Sequence, residues 1–194
     1  MDEFGFYIKL GFNHVLDPNA YDHVLFLIAL ALPFVMKQWK AVVILATIFT
    51  LTHCLALGLS VYEWLVLPVE WVEFFIPITI LGTALFNCLI QVDTAQNQYL
   101  GIHGGITAFF GLIHGFGFSN YFKILVAGES SKIMQLLGFA LGIEVSQVVI
   151  ILAALILGTF LMQLVGVKRA FYIRLISLLI GIITIPMIIQ AFPY

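Results

Sequence analysis

The sequence predicts an all-α, polytopic membrane bundle of about six transmembrane helices preceded by a short interfacial segment. Three observations carry that prediction. Hydrophobic residues make up 62% of the 194 residues and charged residues only 9%, against about 25% charged in a soluble domain. The mean hydropathy is +1.12. The apolar residues also gather into stretches long enough for a bilayer, which takes ~20 residues per crossing. Eight Lys and Arg with ten Asp and Glu cannot coat a globule of this size, and 18 Phe, 7 Tyr and 3 Trp carry too much apolar area for a disordered chain. Scattered basic residues form no patch for nucleic acid. The expectation is one integral membrane domain over residues 1–194, with the lipid bilayer as its solvent.

Taken in order, residues 3–20 mix Phe4, Phe6, Tyr7, Ile8, Leu10 and Phe12 with Gly, Lys9 and Asn13, and end in the turn-like Asp17-Pro18-Asn19. This is the interfacial segment. Apolar stretches follow at 21–36, 39–60, 70–91, 99–119, 133–163 and 170–191. The first is short and borrows from the segment before it; the fifth is long enough to tilt. No basic region leads into a cleavage site, so the first span is expected to act as its own targeting signal. Lys37, Lys40, Lys168, Arg169 and Arg174 fall on one side, and Lys9, Lys123 and Lys132 on the other. The basic excess predicts a plasma (inner) membrane protein with both termini extracytoplasmic. Cys54 and Cys88 lie inside apolar runs and read as free thiols. Gly101 and Gly105, Gly111 and Gly115, and Gly138 and Gly142 sit four apart, which predicts close packing of the fourth span against the fifth.

Ionisable residues inside such stretches each cost ~2.5–3.5 kcal/mol at a helix centre, so they face the bundle interior and mark a site. They are Asp22, His23, His53, Glu73, His103, His114 and Glu144, with His14 just before the first span. The helical rise places all but His103 in one half of the membrane. Neutral imidazole and carboxylate are ligands for Zn, Ni, Fe, Co or Mn. A divalent cation would offset the acids in a low-dielectric bundle. Thr50 and Gln147, one turn from His53 and Glu144, suit an outer shell that orients the ligands. The alternatives are a metal-free hydrogen-bond network, a surface position for His14 and an ordinary interfacial carboxylate at Glu73. His103 lies ~16 Å from His114 along the same helix. It reads first as an interfacial histidine with a wet tip, and second as a waypoint on a path with Asn87 and Gln91.

The motifs are also familiar. Gly11-Phe12-x-His14-x7-Asp22-His23-x-Leu25-Phe26-Leu27, Phe49-Thr50-x-x-His53, Val72-Glu73, Phe110-Gly111-Leu112-Ile113-His114-Gly115-Phe116-Gly117-Phe118 and Phe139-x-x-Gly142-Ile143-Glu144-x-x-Gln147 resemble, in order, the signatures of the HupE/UreJ family of hydrogenase and urease accessory membrane proteins, second subfamily. The pattern departs at Ala140, Ser146 and Cys54, where Asn, Gly and Ser are usual. The resemblance implies a polytopic protein whose histidines handle nickel or a related divalent metal. Two functions follow. The first is a nickel-type metal permease or metal-delivery protein, its ligands His14, Asp22, His23, His53, His114, Glu144 and Glu73, with His103 on the path. The second is an intramembrane metal-dependent hydrolase of lipid or peptide with an outward-facing site and Glu144 or Glu73 as general base. A metal sensor, a homo-oligomer or an accessory partner of a larger assembly stays open.

Overall fold

The computed structural model describes residues 3–89, 97–129 and 131–193. Those residues form α1 (Glu3–Val15), α2 (Asp22–Ala31), a 3-10 turn (Met36–Gln38) leading into α3 (Trp39–Val61), α4 (Val69–Leu89), α5 (Asn97–Gly117), the short α6 (Ser119–Leu125), α7 (Ile133–Gln163) and α8 (Arg169–Gln190). No strand occurs among them. Four helices, Met36–Val61, Val69–Leu89, Ile133–Gln163 and Arg169–Gln190, are long and apolar enough to cross a membrane. Their outward faces carry Ile44, Leu51, Leu55, Leu141, Val149 and Leu178. Apolar surface on this scale is stable only against lipid. The chain is an integral membrane helix bundle.

The first apolar stretch is helical only from Asp22 to Ala31, ~15 Å at 1.5 Å per residue. The segment before it is itself a helix. Gln135 Nε2 donates to Glu3 Oε1 at 2.6 Å; Gly138 meets Phe4, Gly142 meets Ile8 and Phe12, and Gly11 meets Phe139 and Ile143. Residue numbers rise together on both partners, so α1 runs beside the first half of α7 in the same direction and stops part-way. The chain then turns at Asp17–Asn19, where the Asn19 amide donates to Asp17 Oδ1 at 2.9 Å, a side-chain turn that suits Asp. α2 carries on to the opposite face, where Ala29 O accepts from Asn87 Nδ2 at 2.7 Å and Pro33 O from Arg169 at 2.7 Å.

Glycines fix which helices touch, and the pairing differs from that expected. α5 packs on α3, not on α7: a methyl group at Gly111 would lie 2.7 Å from Phe49 O, and one at Gly115 would lie 2.8 Å from Ala56 Cβ. The Gly138 and Gly142 pair of α7 receives α1 instead. A methyl group at Gly101 or Gly105 would meet nothing within 4 Å among the described residues. α8 lies against α4, and Phe192 meets Phe74 at 5.4 Å between ring centres. Lys132 Nζ donates to Val61 O at 3.4 Å, tying the start of α7 to the end of α3. Both ends of the described chain therefore emerge on one face of the bundle, beside the α3–α4 loop. Phe26, Phe49, Phe122 and Phe139 are fully buried in a core shared by all the long helices.

Candidate metal centre

Four helices deliver histidines to one place. His14 comes from the last turn of α1, His23 from the first turn of α2, His53 from α3 and His114 from the last turn of α5. Ring centres are 4.7 Å apart for His14 and His23, 5.0 Å for His23 and His114, 5.8 Å for His14 and His53, and 5.9 Å for His23 and His53. The Gly115 contact with the His53 backbone draws α5 onto α3 at the level of His53, one residue after His114. The Gly142 contact does the same for α1, bringing His14 in from the other side.

Asp22 completes the group. Its Oδ1 accepts from the His23 backbone amide at 3.0 Å and lies 3.2 Å from His23 Nδ1. With the ring proton on Nδ1, that contact is a donated hydrogen bond and Nε2 keeps its lone pair free, the arrangement in which a carboxylate orients a metal-binding imidazole. Asp22, His23 and His114 each offer a ligand atom within 4.8 Å of the other two. Donors around a tetrahedral ion at ~2.1 Å stand ~3.4 Å apart, so modest side-chain rotation closes the group. His23, His53 and His114 are buried. Six ring nitrogens, Nε2 of His14 and His23 and both nitrogens of His53 and His114, are buried with no hydrogen-bond partner among the described residues. The donor set fits a divalent transition metal.

The surroundings are dry on two sides. Phe118 and Phe139, stacked 5.1 Å apart, cover His14 at 4.0 Å and 5.5 Å. Phe26 and Phe49 cover His114 at 6.0 Å and 5.4 Å. The third side opens. A cleft of about 410 Å³ is lined by Asn19, Tyr21, Asp22, Glu73, Pro77 and Gln190, among others, so Asp22 stands between the cleft and the imidazoles.

The remaining sequence candidates lie elsewhere. Glu73 is exposed on the wall of that cleft and is not packed among the rings. Glu144 is turned into the seam between α3 and α7, where Thr47 and Thr50 hold its two oxygens at 2.5 Å and 2.6 Å. Depth alone had grouped it with the histidines; its partners are hydroxyls. Thr50 and Gln147 bond each other at 3.1 Å and serve Glu144, not a histidine. Thr47 was not singled out from the sequence, although its i, i+3 spacing to Thr50 puts both on one helix face. His103 is buried between Phe34 and Phe86, 5.5 Å from each ring, so its tip is not wet. Asn87 is beside it in depth, at the end of α2, and Gln91 lies outside the described residues.

A family model described as HupE / UreJ protein matches residues 1–191. The chain belongs to the HupE/UreJ family. No curated protein and no solved structure matches it.

Proposed function

We propose that this HupE/UreJ chain crosses the membrane six times, with α1 and α2 together forming one broken crossing, and that it carries a divalent transition metal ion of the nickel type as a permease or delivery protein. One observation carries the reading: Asp22, His23 and His114 each offer a ligand atom within 4.8 Å of the other two, and the imidazoles around them hold six buried nitrogens with no partner among the described residues. The ion is the substrate. It is drawn into the cleft by Glu73 and Asp22 and taken up by His14, His23, His53 and His114. Asp22 keeps the His23 lone pair aimed inward. His103, buried near the opposite face, lies on the way out. Lys37, Lys40, Lys168, Arg169 and Arg174 flank that opposite face, which supports a cytoplasmic assignment for it and an extracytoplasmic one for both ends of the chain.

The cleft also supports a second reading, a metal-dependent hydrolase, because it brings solvent and the Glu73 carboxylate to one side of the chamber. There the ion would be a resident cofactor supplying Lewis acidity and an activated water. Glu73 would move the proton.

The test is metal binding by detergent-purified protein. Wild type is expected to take up about one Ni(II) or Zn(II) per chain, and the His23→Ala, His114→Ala double variant to take up none. Unchanged stoichiometry in a folded double variant sinks the site. A metal that survives purification favours the hydrolase; weak, reversible binding followed by uptake into proteoliposomes favours the permease.

A further inference from the structure

At the start of α8 two cations stand on the outer surface of the bundle, one of them at hydrocarbon depth. We propose that Lys168 and Arg174 hold the phosphate of an anionic phospholipid whose acyl chains lie along Phe171, Leu175 and Leu178. The site is separate from the histidine chamber and does not rest on the metal reading.

Depth comes first. α8 covers 22 residues, ~33 Å at 1.5 Å per residue, which matches the ~30 Å hydrocarbon core of a bilayer. Lys168, just before its first turn, is therefore level with one boundary, and Arg174 lies ~9 Å inside it. A charged side chain inside that boundary usually faces the bundle interior. Arg174 does not: it is exposed, as are Lys168, Phe171, Leu175 and Leu178. Arg169 shows the contrast, since it turns inward to Pro33 O at 2.7 Å.

The five exposed side chains line one cleft of about 440 Å³ along the flank of α8. Phe171, Arg174, Leu175 and Leu178 follow i, i+3, i+4 and i+7, a single stripe on the helix. Side chains lean toward the N-terminus of their helix, so the Arg174 guanidinium reaches back over Phe171 toward the boundary, where Lys168 stands. The cations thus share the mouth of the cleft and the apolar side chains continue it toward the bilayer centre. No carboxylate pairs with either cation among the described residues. The described Asp and Glu residues lie at the opposite end of the bundle, or part-way along α7 in the case of Glu144.

Charge and shape together choose the occupant. A guanidinium fork matches two phosphate oxygens, and like charges facing one cleft repel unless an anion lies between them. A zwitterionic headgroup would bring its own cation against Lys168, with no carboxylate to receive it. Free phosphate would leave Phe171, Leu175 and Leu178 uncovered, whereas acyl chains cover all three. A second copy of the chain seated here by two-fold symmetry would set the same cations against each other. An anionic phospholipid meets every condition, and it holds the start of α8 where Arg169 already ties that helix to the chain beyond α2.

Full-length protein in detergent is titrated with phosphatidylglycerol and with phosphatidylcholine of the same acyl chains, and bound lipid is counted by native mass spectrometry. Wild type is expected to take up one phosphatidylglycerol saturably, about tenfold or more tighter than phosphatidylcholine. Lys168→Gln, Arg174→Gln is expected to bind the two lipids alike. Lys37→Gln, Lys40→Gln, which removes two exposed cations from the same end of the bundle, is expected to keep the preference. Phosphatidylglycerol carrying a diazirine in its acyl chain locates the site in wild type, with adducts expected within residues 171–178. Equal binding of both lipids by wild type, or a preference that survives in the folded Lys168→Gln, Arg174→Gln variant, overturns the proposal. Equal loss of the preference in Lys37→Gln, Lys40→Gln overturns it too, because the attraction would then belong to the whole face. Adducts confined to other helices, or displacement of the lipid by an equal concentration of glycerol phosphate, also overturn it.

Discussion

Replacing Gly115 by Ala tests whether the close approach of α5 to α3 is what assembles the chamber. The added methyl would lie 2.8 Å from Ala56 Cβ and even closer to the His53 carbonyl oxygen. Carbon atoms rest at ~3.5–4.0 Å, so α5 must retreat by about 1 Å. Overpacking of this kind costs ~1–3 kcal/mol. His114 is the neighbouring residue and His53 supplies the contacted carbonyl, so the retreat opens the distance between two of the imidazoles proposed to take up the ion. Loss of ~1.4 kcal/mol at that ion is a tenfold weaker dissociation constant, and the expected weakening is about tenfold or more. Calorimetric titration of detergent-purified protein with Ni(II) reads it, alongside a thermal melt. Gly105→Ala is the control on the same helix, since its methyl meets nothing within 4 Å among the described residues; it is expected to bind as wild type. Wild-type affinity in Gly115→Ala refutes the reasoning. Equal weakening in both variants refutes it too, because the effect would then belong to glycine composition and not to this contact.

Glu73→Gln removes a charge from the cleft wall without touching the rings, so uptake is expected to slow several-fold at low ionic strength and converge on wild type in high salt, with Ni(II) stoichiometry unchanged. His103→Ala is expected to leave binding at the chamber intact and to depress proteoliposome uptake; full uptake in that variant removes His103 from the path, and hydrolytic activity spared by it favours the enzyme reading.

The depth of each polar residue was legible in the sequence because a helix fixes 1.5 Å per residue. That arithmetic put His53, His114 and Asp22-His23 at one level of the bundle, and His23 meets both of the other rings. Which neighbour a residue faces was not legible. Helices that are apolar all round carry no stripe to mark their inner face. Glu144 therefore faces the seam with Thr47 and Thr50 instead of the histidines, and Gly138 and Gly142 meet α1 instead of the fourth span. His103 shows the same limit: its depth near the far face suggested water, but Phe34 and Phe86 enclose it. The cue for α1 lay in glycines on both partners: Gly11 against Phe139, and Gly138 and Gly142 against Phe4 and Ile8.

The break between α1 and α2 is what makes the chamber geometrically possible. On an unbroken α-helix, His14 and His23 would stand ~13.5 Å apart along the axis and ~180° apart around it. They could not share an ion. Instead their rings are 4.7 Å apart, because the chain leaves the helix after Val15, turns at Asp17-Pro18-Asn19 and restarts at Asp22. Irregular backbone at membrane depth leaves amides and carbonyls without helical partners, and such backbone is tolerated only where protein or an aqueous cavity covers it. Asn19, Ala20, Tyr21 and Asp22 do line the open cleft. The turn that pairs the two imidazoles therefore also requires the cleft beside them, and on the permease reading that cleft is the cation's way to Asp22. A continuous first span would have kept the backbone bonds and lost both the imidazole pair and the cleft beside it.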